Sequence, residues 1–210
     1  MREPIGVLLA GGRGSRLGGA KALARLQGRP LICHALAALR AAVGEVAIVA
    51  KPDTSLPPLS DVAVWVEPAE PRHPLVGIVH ALAWADGRPV LVCAADMPFV
   101  TCEVLAALAA ADPAGAPAVM ATSAERGLQP LLGCYQPEAG ALLAGAAREG
   151  TASVRRVVAG LQPRLFEVSD PQVLLNVNSA EDLAAAEALL AHAPGSATRR
   201  GGSSSEEGWG

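Results

Sequence analysis

Fourteen residues near the amino end, Leu8-Leu9-Ala10-Gly11-Gly12-Arg13-Gly14-Ser15-Arg16-Leu17-Gly18-Gly19-Ala20-Lys21, concentrate the chemistry of this chain. Gly11, Gly12, Gly14, Gly18 and Gly19 let consecutive backbone N–H groups converge with no Cβ in the way, which is what wrapping a polyphosphate demands. Arg13, Arg16 and Lys21 place three cations within nine residues. Arginine grips phosphate through two parallel N–H donors, and lysine supplies a mobile point charge. Two other phosphate loops are excluded. A P-loop needs Gly-Lys-[Ser/Thr], but Ala20 separates Gly19 from Lys21 and Ala22 replaces the hydroxyl. The dinucleotide fingerprint G-x-G-x-x-G, started at Gly12, fails at Leu17. A second focus is Asp96, which directly follows an apolar run. Its carboxylate suits Mg²⁺, a hard cation that takes one or two carboxylates and leaves positions for phosphate and water. An αβ-turn or helix-capping role is the alternative.

These residues need a scaffold that sets them at the ends of strands. Ile5–Ala10 reads as a buried strand, followed after the glycine-rich segment by a helix from Pro30 that Gly44 closes. Val46–Ala50 and Val62–Val66 read as strands, residues 74–85 as a helix, and Pro89–Ala94 as a strand that stops at Asp96-Met97-Pro98. Thr101 reads as the N-cap of a helix that ends near Asp112. Later, Ala118–Ala121, Leu131–Gln136 and Arg164–Ser169 read as strands, and Pro137–Ala147, Ser153–Ala159 and Ser179–His192 as helices. Ser179 and Asp182 form a capping box with Asp in place of the usual Glu. This alternation predicts a single Rossmann-like α/β domain over residues 1–193, with a mostly parallel sheet flanked by helices on both faces. Ligands in such sheets bind beyond the carboxyl ends of the strands, which directs attention to the glycine-rich segment and to Asp96.

Bulk properties narrow the partners. The chain has 210 residues, half of them apolar but only 3% aromatic, and a formal charge of −3. With no overall basic field, nucleic acid is not expected as a partner, so any phosphate affinity must be local. No apolar stretch approaches the roughly 20 residues of a membrane span, and residues 5–10 are too short for a signal peptide. Cys33, Cys93, Cys102 and Cys134 form no C-x-x-C pair and read as free thiols in a cytoplasmic protein. Residues 194–210 are rich in Gly, Ser, Arg and Glu and read as a disordered tail.

The opening segment fits the pattern LAGG-x-x-x-R-[ML]-G-G-x-K. Lys21-Ala22-Leu23, Gly28-Arg29-Pro30-Leu31, Pro74-Leu75-Val76-Gly77-Ile78, Ala95-Asp96-Met97-Pro98-Phe99 and Asn176-Val177-Asn178-Ser179-Ala180-Glu181-Asp182-Leu183 follow in that order. The series resembles the molybdenum cofactor guanylyltransferases (MobA-type) over about residues 5–190. The resemblance implies a Mg²⁺-dependent nucleotidyltransferase whose substrates are GTP and molybdopterin, with molybdoenzymes or other cofactor-biosynthesis proteins as candidate partners. It implies Arg16 and Lys21 on the nucleotide phosphates, and Leu9, Ala10, Gly11 and Gly12 against the nucleotide through their backbone. It further implies Asp96 on the metal with Asn178 as a second candidate ligand, and Gln129, Asn176, Asn178 and Arg155 toward the pterin. Three departures stand out. Ala20 occupies a position where the family has Asp. Ala50-Lys51 and Glu67-Pro68 lie where it commonly offers Asn and Asp to guanine. Glu67 still suits guanine, because a carboxylate accepts from both N1–H and N2–H₂. A cytidylyltransferase relative, a sugar-phosphate nucleotidyltransferase and a non-catalytic nucleotide-binding regulator are the alternatives. His34 and His80 read as satisfied structural histidines.

Overall fold

The computed structural model describes residues 2–11 and 23–192. Gly12, Arg16, Lys21 and the 194–210 segment lie outside the described residues.

Short apolar runs form the strands at the centre of the sheet. β1 (Ile5–Leu9), β4 (Val46–Ala50) and β6 (Val90–Ala94) are buried almost throughout, as strands covered on both faces must be. With β5 (Ala63–Val66), β7 (Ala118–Thr122), β8 (Leu132–Tyr135) and β9 (Arg164–Glu167) they make a seven-stranded sheet in the order β5-β4-β1-β6-β8-β7-β9. β1 pairs in parallel with both β4 and β6, and β4 with β5. β8 runs antiparallel to both of its neighbours, while β7 and β9 are parallel to each other. The sheet is therefore parallel except for one strand, β8.

Alternate side chains divide the core into two layers. Leu8, Ile48, Leu91 and Val119 pack with Ile32, Leu36 and Leu39 of α1 (Leu31–Ala42) and Leu105 and Leu108 of α3 (Cys102–Ala110). Val7, Val49, Val92 and Met120 pack on the opposite face with Leu75, Ile78 and Leu82 of α2 (Pro74–Trp84), Leu143 of α4 (Ala139–Glu149) and Val158 of α5 (Val154–Gly160). Helices on both faces agree with the expected class. Among the described residues no helix is long and apolar enough to cross a membrane.

Local signals set several boundaries. Thr101 Oγ1 accepts the Val104 N–H at 3.4 Å and starts α3 as expected. Ser179 Oγ accepts the Asp182 N–H at 3.1 Å, and Asp182 Oδ2 accepts the Ser179 N–H at 3.0 Å, so the capping box closes with aspartate at the start of α6 (Ala180–His192). The expected Rossmann-like plan did not include a small hairpin, β2 (Arg25–Leu26) and β3 (Arg29–Pro30), that turns at Gln27-Gly28. Both turn residues have positive φ, 52° and 72°, as a two-residue type I′ hairpin requires. Leu26 of this hairpin joins Leu31, Val177 and Ala186 in a small third cluster, which docks α6.

Candidate active site

β1, β4, β5 and β6 point the same way, so residues 10–11, 50–51, 67 and 95–96 emerge along one rim of the sheet. Main-chain bonds carry the ladder past the strand ends: Ala10 N–H to Val49 O at 2.9 Å, Glu67 N–H to Ala50 O at 2.9 Å, and Ala95 N–H to Leu9 O at 3.1 Å. These bonds fix the backbone on which the chemistry sits. A cleft of about 340 Å³ opens there between Leu9, Ala10 and Gly11 on one side, Lys51 and Glu67 on another, and Asp96 and Leu131 opposite.

The amino end of α2 forms part of the floor. Pro74 supplies the first helical residue, where its missing N–H costs nothing. His73 is the N-cap: Nδ1 accepts from Leu75 N–H at 3.4 Å, while Nε2 lies 2.8 Å from Ala152 O. The ring therefore carries its hydrogen on Nε2 and ties α2 to the segment ahead of α5. With His73, Pro74 and Gly77 all lining the cleft, the positive end of the helix dipole faces it.

Glu67 and Lys51 form a buried ion pair, with Nζ 3.4 Å from Oε2 and side chains only 5% and 2% exposed. The Lys51 ammonium also donates to Pro68 O at 2.6 Å and Pro71 O at 3.0 Å. Burial pushes the Glu67 carboxyl above the usual carboxylate range, and the Lys51 charge pulls it partway back. Two glycines make room for it. A Cβ on Gly11 would lie 2.5 Å from Glu67 Oε1, and one on Gly77 would lie 3.3 Å from Oε2. The carboxylate is thus held between the end of β1 and the first turns of α2.

Asp96 stands across the cleft, half-buried, with Oδ1 shielded from solvent. Its backbone carbonyl accepts the Val177 N–H at 2.8 Å, which brings the Asn176–Asn178 turn to the same corner. Cys93, one strand turn earlier, is fully buried, and burial together with the Asp96 charge pushes its thiol far up. It behaves as a small hydrophobe, as the sequence suggests, and all four cysteines are free.

Of the residues singled out in the sequence, Leu9, Ala10, Gly11, Glu67 and Asp96 come together around this one cleft. Ala50 does not line it. Its carbonyl is spent on Glu67 N–H, and the next residue, Lys51, takes the wall position. Asn176 and Asn178 are exposed beside the Asp96 corner, and the Asn178 N–H is taken by Asp182 Oδ2 at 2.8 Å. Gln129 is buried, with Nε2 donating to Arg126 O at 3.1 Å and Gly127 O at 3.0 Å; exposed Arg155 reaches the same Arg126 O at 3.3 Å. These two share one turn outside the cleft wall.

His34 is satisfied as expected, with Nε2 3.1 Å from Leu26 O. His80 is not: its Nε2 is buried without a hydrogen-bond partner among the described residues, and the ring packs on Trp84 at 5.2 Å. Burial and the Lys51 charge lower its pKa. Lys51, Arg72, His73 and Gly77 line the cleft without having been expected there as site residues. His73-Pro74 carries a readable signal, a polar residue before a helix-starting proline. Lys51 carries none, because an isolated lysine is ordinarily a surface residue.

A mostly parallel sheet with a glycine-lipped cleft at its carboxyl rim and a carboxylate at the far corner places the site where open α/β sheets bind their ligands. Residues 6–167 match the MobA-like NTP transferase domain. The molybdenum cofactor guanylyltransferase of Cereibacter sphaeroides is 34% identical over 196 residues, covering 89% of this chain and 96% of that protein. That of Rhodobacter capsulatus is 35% identical over 194 residues, covering 88% and 95%. Among solved structures, the molybdopterin-guanine dinucleotide biosynthesis protein A of Archaeoglobus fulgidus superposes with a TM-score of 0.69 at 22% identity, covering 89% of this chain and 98% of that one. The chain belongs to the MobA-like NTP transferase family.

Proposed function

We propose that this protein transfers GMP from GTP to the phosphate of molybdopterin, forming molybdopterin guanine dinucleotide and releasing pyrophosphate. The observation that carries this reading is the placement of Glu67 and Asp96 in one cleft on either side of the Gly11 lip. Similarity to guanylyltransferases across nearly their whole length supports the choice of substrates.

A phosphate oxygen of the acceptor attacks the α-phosphorus of GTP; the bond to the β-phosphate oxygen breaks, and pyrophosphate leaves. Such transfers ask little covalent chemistry of the protein, and positioning and charge carry the catalysis. Glu67 accepts from guanine N1–H and N2–H₂ at the base end. The Leu9–Gly12 backbone flanks the nucleotide, and Lys21, supported by Arg16, neutralises the β- and γ-phosphates. The donor chemistry at the far corner suits Mg²⁺: Asp96 offers a hard oxygen, and such an ion takes one or two carboxylates and fills its other positions with phosphate and water. Asp96 would hold the ion, with Asn178 as second ligand. When bound, Mg²⁺ supplies neutralisation of phosphate charge. Asn176, beside the Asp96 corner, belongs to the acceptor side, whereas Gln129 and Arg155, on a turn outside the cleft wall, would meet only a part of the acceptor that extends beyond the cleft.

The test is incubation of the purified protein with molybdopterin, Mg²⁺ and each nucleoside triphosphate in turn, with detection of the dinucleotide and of pyrophosphate. Product with GTP is expected. Product with CTP and none with GTP would replace this reading with the cytidylyltransferase one.

A further inference from the structure

Only two of the chain's 17 basic Lys and Arg residues are lysines, Lys21 and Lys51. Where charge alone is wanted the chain uses arginine, so the buried Lys51 calls for an explanation in its shape. A lysine ammonium is a compact three-donor group, whereas a guanidinium is a planar fork. At Lys51 three oxygens surround one nitrogen: Pro68 O and Pro71 O accept hydrogen bonds, and the Glu67 carboxylate stands 3.4 Å away as an ion pair. All three belong to the segment that follows β5, while Lys51 itself follows β4 and is pinned by its N–H to Thr54 Oγ1 at 3.1 Å. A buried ion pair is a weak source of stability, because desolvation offsets the attraction. The pair therefore needs another reason to be there.

We propose that Lys51 is a positioning residue for base choice, holding Glu67 as a carboxylate aimed into the cleft so that the site selects a base edge with two adjacent N–H donors. This rests on the GTP reading given above. An ionised carboxyl only accepts, whereas a protonated one offers one donor and one acceptor. Guanine presents N1–H and N2–H₂, two donors side by side. Cytosine and adenine present an amino donor beside a ring-nitrogen acceptor. Burial alone favours the protonated form of Glu67, and the ammonium 3.4 Å away opposes it. The carboxylate occupies the space that the missing side chains of Gly11 and Gly77 leave open. The remaining ionisable groups around it are Glu70, Arg72 and His73 on the following segment, His80 on α2 and Asp96 across the cleft. Arg72 is engaged with Asp53 and Glu70, which leaves Lys51 as the cation paired with Glu67 among the described residues.

Rates of pyrophosphate release with GTP, ITP and CTP, measured with molybdopterin for the wild type, K51M, K51Q and E67Q, test the proposal. ITP keeps N1–H but lacks the 2-amino group. K51M is expected to lower kcat/KM for GTP by about tenfold or more, the loss falling mainly on KM, and to bring the GTP-over-ITP preference toward unity. K51Q retains donors for the two proline carbonyls without the charge and should lose the same preference. E67Q should lose it as well. A merely structural defect would instead lower the rates with all three nucleotides in proportion. A wild-type GTP-over-ITP ratio in folded K51M and K51Q overturns the proposal. So does failure of both to fold by circular dichroism, since the pair would then serve folding rather than base choice. Wild-type turnover with CTP alone overturns the GTP reading and this proposal together, whereas wild-type turnover with GTP and an unchanged K51M ratio overturns only this one.

Discussion

Substituting Gly11 with alanine adds one methyl group at the tightest point of the cleft. The new Cβ would stand 2.5 Å from Glu67 Oε1 and 3.5 Å from Lys51 Cγ. To reach ordinary van der Waals contact the oxygen must retreat by about 0.9 Å. A free glutamate would swing away at no cost. This one has Gly77 close behind Oε2 and the Lys51 ammonium at 3.4 Å, so the shift either spoils the ion pair or displaces β1's end from α2. Two costs follow. Overpacking of a filled site is worth about 1–3 kcal/mol, which lowers Tm by about 2–4 °C per kcal/mol for a chain of this size. Misplacing a charged acceptor by most of an ångström removes one hydrogen bond to the base, about 1.5–3 kcal/mol, or about 10- to 150-fold in kcat/KM. Steady-state pyrophosphate release with GTP and ITP, paired with a thermal melt, separates the two. The expected result is a large loss with GTP, a smaller one with ITP, and a modest fall in Tm. G11A with unchanged kcat/KM for GTP would refute the assignment of Glu67 to the base.

Asp96→Asn removes the charged oxygen donor at the far corner of the cleft and should lower turnover on the order of 100-fold without a comparable loss of stability; full turnover by pyrophosphate release would take Asp96 out of the mechanism. KM for GTP should rise as the pH falls through the elevated Glu67 pKa, above the value of about 4.3 for an ordinary glutamate, and E67Q should lack this limb of the profile. The linked stability has the opposite sign: folding favours the protonated carboxyl, so its contribution is present below the unfolded-state pKa and is lost as the pH rises through the folded-state one. Thermal melts of wild type and E67Q across that range check it. Tyr135→Phe should leave the Pro130 carbonyl, now hydrogen-bonded at 2.6 Å, without its partner and cost about 1–3 kcal/mol, read as a drop in Tm.

The fold was legible wherever apolar runs were long and bounded. Val46–Ala50 matches β4 residue for residue, and the proline and glycine punctuation placed α1 and α2 within a few residues. The antiparallel direction of β8 was not legible, because a strand buried on both faces shows the same unbroken apolar run in either direction. The β2–β3 hairpin has strands of two residues, too short for any period to register. In the site, Gly11 and Asp96 were legible because each follows a strand at the rim where ligands bind, and Glu67 because it stands where the resembled family offers a carboxylate to guanine. Lys51 reads in the sequence only as a departure from the family pattern, and its role comes from two carbonyls and a carboxylate that a linear chain does not show together. His80 departs from the expected satisfied histidine for a related reason: its helix carries it in among Trp84 and Lys51, where its Nε2 meets no acceptor among the described residues.

The Lys51–Glu67 pair also bears on how this scaffold can diversify. Loss of either member alone strands a buried charge, a change worth about 3–5 kcal/mol, which is a large share of the 5–15 kcal/mol that separates a typical folded domain from its unfolded chain. Joint replacement by a neutral pair is far milder. The two positions are thus strongly epistatic, and a lineage moving toward another base must cross a valley of weakened intermediates or change both codons together. Descendants that have made the crossing should carry correlated residues at 51 and 67, and base preference along such a tree should change in rare paired steps rather than drift.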